Sequence, residues 1–153
     1  PRVPASSAST WRYITESARA FGRALEVASD DTDLAIAARW LHIALSRTDP
    51  AVGAPLNRVA AQLDPAAWPT PLVQMFAGTL SPEQALAKAT SSSELTDLRQ
   101  KCEAYFYIGQ LRRMQGDEQG ALEDFQRVVA TDVHDYSAFP RAKAELPLSQ
   151  AQH

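Results

Sequence analysis

Between Trp11 and Ala28 the apolar positions fall at Trp11, Ile14, Ala18, Phe21, Leu25 and Ala28, steps of three and four that place them on one stripe of an α-helix. Residues 33–47 carry Leu34, Ala37, Ala38, Leu41 and Leu45 on one side and Ile36, Trp40 and Ile43 on another, the pattern of a helix packed between neighbours. Leu56, Val59, Ala60 and Leu63 predict a shorter amphipathic helix. Trp68-Pro69-Thr70-Pro71 then makes a rigid connection to a two-turn helix through Leu72, Val73 and Phe76, which Gly78 can end as a left-handed cap. Ser81-Pro82-Glu83-Gln84 combines an N-cap, a first-turn proline and a Gln able to close a capping box, so a short helix follows through Ala85, Leu86 and Ala89. After the polar run Thr90 to Ser93, residues 94–115 predict the longest helix, with Leu95, Leu98, Cys102, Tyr105, Ile108 and Leu111 inward and Gly116-Asp117 ending it. Ala121, Leu122, Phe125, Val128 and Val129 form the next stripe. A last helix around Tyr136 to Leu146 tolerates Pro140 only in its first turn.

Two-residue alternation is not sustained anywhere, so the chain is expected to be all-α, with about seven or eight helices joined by short loops into antiparallel hairpins. Residues 1–9, with Pro1, Pro4 and the Ala5 to Ser9 run, read as a flexible lead-in. Residues 10–146 form the helical domain and 147–153 a tail. Composition refines the picture in three ways. A length of 153 residues fits one domain of ordinary size. With 15 Lys+Arg against 18 Asp+Glu and the signs interspersed, no basic field exists to hold a phosphate backbone, and nucleic acid is not an expected partner. The single Cys closes no intrachain disulfide, and no Cys/His set has zinc spacing. No apolar run approaches the roughly 20 residues that span a bilayer, so this chain is not expected to insert into a membrane itself.

Internal repetition decides what the helices add up to. The stretch Glu103-Ala104-Tyr105-Phe106-Tyr107-Ile108-Gly109-Gln110-Leu111, followed by Gly116-Asp117, Ala121, Phe125 and Val128, resembles a tetratricopeptide repeat spanning about residues 102–135. Gly109 and Ala121 are small where the two helices meet, Tyr105 and Phe125 are the aromatics, and Gly116-Asp117 is the turn. Arg112 replaces a usual aromatic and Val133 a usual proline, so the repeat is degenerate. Residues 14–29, with Phe21, Ala24 and Leu25, resemble the second helix of a preceding repeat, which makes the chain the expected C-terminal part of a longer array. A narrower resemblance covers roughly residues 20–146. Phe21-Gly22-Arg23-Ala24-Leu25, Trp40-Leu41, Leu63-Asp64 leading to Trp68-Pro69-Thr70-Pro71, Gly78, Cys102 to Gly109 and Ala142-Lys143-Ala144-Glu145-Leu146 together resemble the C-terminal region of bacterial NlpI-like tetratricopeptide proteins. That resemblance implies a right-handed stack of helical hairpins, an α-solenoid, acting as a non-enzymatic scaffold or adaptor. It also implies a homodimer and a periplasmic, outer-membrane-associated setting, whereas the residues alone leave the compartment open, the cytoplasm included.

Chemistry-bearing residues add no catalytic pattern. Asp30, Asp31 and Asp33 read as helix caps rather than a metal site. His42 sits between Leu41 and Ile43 on a packed helix, His134 precedes Asp135 in a loop, and His153 is terminal. Cys102 lies on an inward stripe, where a thiol behaves as a small hydrophobe. No cofactor or metal is expected, and the chain is not expected to be an enzyme. For binding, the positions of interest are Glu103, Phe106, Gln110 and Arg113, which would face the groove of the repeat and suit an extended peptide or a partner helix. Phe106 can equally pack on a neighbouring helix, and both readings stand at this point. Recognition of a peptide's terminal carboxylate is not expected, because Asn57 is the one Asn and Tyr107 occupies the relevant place. If the first helix lacks its repeat partner, Trp11, Ile14 and Phe21 form a surface that a second copy of the chain could cover. Two functional expectations follow: a scaffold binding a protein or peptide partner of unknown identity, and alternatively a structural homo-oligomerisation domain with no separate ligand.

Overall fold

A computed structural model describes residues 57 and 60–147. The readings that fall on Trp11, Ile14, Phe21, Asp30, Asp31, Asp33, Trp40, His42 and His153 lie outside the described residues, as do the lead-in 1–9 and the tail beyond residue 147. The described residues are helix and connecting turn with no strand among them, so the fold class is all-α. The chain divides into two compact units, residues 1–80 and 81–153.

In the first unit, residues 60–62 are helical and Leu63 is buried. The Trp68–Pro69 peptide bond is cis. Helix α1, Thr70–Phe76, buries Leu72, Val73, Met75 and Phe76. It ends in a Schellman motif: Gly78 has φ +82°, its N–H donates to the Met75 carbonyl at 3.1 Å, and the Thr79 N–H donates to the Gln74 carbonyl at 2.9 Å. Two carbonyls that the helix leaves orphaned are thereby satisfied.

The second unit opens with α2, Pro82–Ala87, whose capping box is complete. The Gln84 N–H donates to Ser81 Oγ at 3.1 Å, and the Ser81 N–H donates to Gln84 Oε1 at 2.9 Å. Helix α3, Glu94–Met114, is capped by Ser93 and closes at Gly116 in a second Schellman motif, with φ +85° at the glycine and the Asp117 N–H donating to the Arg112 carbonyl at 2.9 Å. Asp117 at once caps α4, Glu118–Ala130, by accepting from the Gly120 N–H at 2.9 Å. One glycine and one aspartate therefore reverse the chain. The end of α4 is made differently: Asp132 occupies the left-handed region at φ 57°. A non-glycine residue there carries a strain of about 1–2 kcal/mol. Helix α5, Ala138–Glu145, follows without a side-chain N-cap bond, and Pro140 stands in its first turn.

Helix α3 packs antiparallel to α4, α5 lies against both, and α2 against α3. The core of this unit includes Cys102, Phe106 and Ile108 of α3, Phe125 and Val128 of α4, and Phe139 and Ala142 of α5, with Leu146 just beyond. Leu95 and Leu98, expected inward, are 50% and 36% exposed. The reason is length. With 21 residues against 13, α3 is about 12 Å longer than α4, and its first turns run past the end of the helix that would have covered them.

Candidate partner-binding face

The α3–α4 hairpin is closed around Gly109. A Cβ built there would lie 2.7 Å from Phe125 Cε1, so the ring occupies the space that any other residue would need. Phe125 and Ala121 are fully buried. The small-residue and aromatic pairing expected from the repeat pattern thus has its physical cause in the close approach of the two helices.

Along α3, Arg99, Glu103, Phe106, Gln110 and Arg113 recur at steps of four, three, four and three, which puts them in one row on the helix surface. The structure brings all four candidate residues together in this row, and it also shows what lies across them: residues 135–145 of the same chain. Tyr136 donates its hydroxyl to Glu103 Oε2 at 3.0 Å, and Gln110 Nε2 donates to Glu145 Oε1 at 3.3 Å. Arg113 pairs with Glu145 and Arg99 with Asp135. Phe106 is buried, with its ring edge-on to Tyr107 at 5.2 Å between centroids and tilted to Phe125 at 6.0 Å. Glu103 and Gln110 are buried as well, and Arg113 is half-buried.

Arg113 is the hub of the row. Its guanidinium donates twice to Glu118, Nη2 to Oε1 at 2.6 Å and Nε to Oε2 at 3.0 Å, reaches Glu145 with Nη1, and lies 5.0 Å from the Phe125 ring centroid. This uses the planar fork that distinguishes Arg from Lys, with a cation–π contact added. The Glu118 hydrogen bonds hold Arg113 above its ordinary range, and the same bonds hold the Glu118 carboxyl below its own. One guanidinium therefore ties α3 to the start of α4 and to the end of α5.

A second charged cluster sits behind the row. The Asp124 side chain is 1% exposed, accepts from Arg127 Nη1 at 2.7 Å, and lies 3.2 Å from Arg112 Nη1 at an angle that gives an ion pair without a hydrogen bond. Burial pushes its carboxyl up, while the two guanidiniums pull it down and only partly offset the burial. Arg112, standing where the repeat pattern has an aromatic, thus serves a buried carboxylate.

The remaining candidates have other surroundings. Cys102 is fully buried and burial pushes its thiol up, the reverse of what a nucleophile needs. His134 Nε2 is bonded to Asp132 Oδ1 at 2.6 Å, not to Asp135, and its ring lies 4.2 Å from that of Phe139. Among the described residues no group of His, Cys, Asp and Glu has the arrangement to hold a metal ion, and no helix is long and apolar enough to cross a membrane.

Arg99, Tyr136 and Glu145 belong to the same contact strip and were not picked out from the sequence. The signal available for Arg99 was its place four residues before Glu103. Nothing local marks Tyr136 or Glu145, because their role depends on which helix crosses α3. Compared with family models, curated proteins and solved structures, the chain has no match in any of the three.

Proposed function

We propose that the chain is a non-enzymatic protein-interaction scaffold, a stack of degenerate tetratricopeptide-like hairpins that binds a segment of another protein across α3. The observation that carries this reading is the row Glu103, Phe106, Gln110 and Arg113, which already holds a helical segment by combining a buried aromatic with charged and amide groups. Such a mixture gives area through the ring and register through the polar contacts. The pairing of Gly109 with Phe125, the buried Ala121 and the Gly116-Asp117 turn supports the repeat assignment of this hairpin.

Affinity capture from a native extract, with the wild-type chain and Arg113→Glu as paired baits, tests the scaffold. Circular dichroism establishes that both baits are folded. Proteins lost selectively from the Arg113→Glu bait are the expected result. A partner set indifferent to the substitution rejects the α3 row as the binding face. Light scattering that reports a concentration-independent dimer, with no other protein captured, replaces the scaffold by an oligomerisation domain.

A further inference from the structure

We draw no further inference here: the strongest candidate, the exposed apolar patch of Leu95 and Leu98 on the first turns of α3, carries nothing because nothing in the structure shows what covers it.

Discussion

Replacing Gly109 with Ala asks directly whether the close approach of α3 and α4 is what the glycine is for. In an isolated helix the change is favourable by about 0.8–1 kcal/mol, because Ala has the higher helix propensity. In this hairpin the new methyl would stand 2.7 Å from Phe125 Cε1, 3.0 Å from Cδ1 and 3.1 Å from Cζ. Ordinary contacts begin near 3.4 Å, so the ring must withdraw by most of an ångström. It has little room to do so. Phe125 is fully buried, Phe106 lies 6.0 Å away on one side, and the Arg113 guanidinium lies 5.0 Å from its centroid.

Forcing a methyl into a packed core costs about 1–3 kcal/mol, which equals or exceeds the propensity gain, so Gly109→Ala should destabilise by up to about 2 kcal/mol. Urea unfolding by circular dichroism measures it, with an unchanged slope keeping the comparison valid. The decisive control is Phe125→Leu, which lacks the two outermost contacting ring atoms. In that background Gly109→Ala should cost at least about 1 kcal/mol less, and the difference is the coupling between the two positions. A Gly109→Ala chain more stable than wild type, or a cost that Phe125→Leu leaves unchanged, would refute the packing argument.

Other substitutions probe the remaining features. Asp132→Gly relieves the left-handed residue after α4 but removes the Asp132 Oδ1 bond to His134, so stability in urea unfolding should change by no more than about 0.5 kcal/mol. Asp117→Ala removes the acceptor for the Gly120 N–H and should cost about 1 kcal/mol in the same assay. Leu95→Ala, at a position 50% exposed, should change stability by no more than about 0.5 kcal/mol.

Asp124 gives a prediction with a sign in pH. Its folded carboxyl is raised by burial above the ordinary value of 3.8, so the fold binds its proton more tightly than the unfolded chain does. Its contribution is therefore unfavourable when ionised at neutral pH, and that cost is relieved as pH falls through the folded value toward the unfolded one. Asp124→Asn should be at least as stable as wild type at pH 7 and should lack this acid-side gain in thermal melts taken across pH. A loss beyond about 2 kcal/mol at pH 7 would show that the two guanidiniums outweigh the burial.

The features that could be read in advance share one property, which is that their cause is local. Ser81 and Gln84 close their box within one turn, and Gly78 and Gly116 each end a helix through carbonyls three and four residues back. Periodicity likewise gave α3 its length. It made α3 the longest helix but could not say where along α3 the covering helix ends, and so placed Leu95 and Leu98 inward when they are exposed. For the candidate face, the row Glu103, Phe106, Gln110 and Arg113 was legible as a row, because helical spacing alone puts the residues in register. Its occupant was not. The partners Tyr136 and Glu145 lie 33 and 32 residues beyond Glu103 and Arg113, and such pairings are set by how helices stack.

The guanidinium of Arg113 also imposes an order on assembly. Its contacts with Glu118 and Phe125 close within the hairpin, across a turn that Gly116 and Asp117 already favour, whereas its contact with Glu145 spans 32 residues. Short loops close at the smaller entropic cost, so the α3–α4 part of this arginine's network is expected to form before its link to the final helix. In that order Glu145 meets a guanidinium whose direction Glu118 and Phe125 have already set.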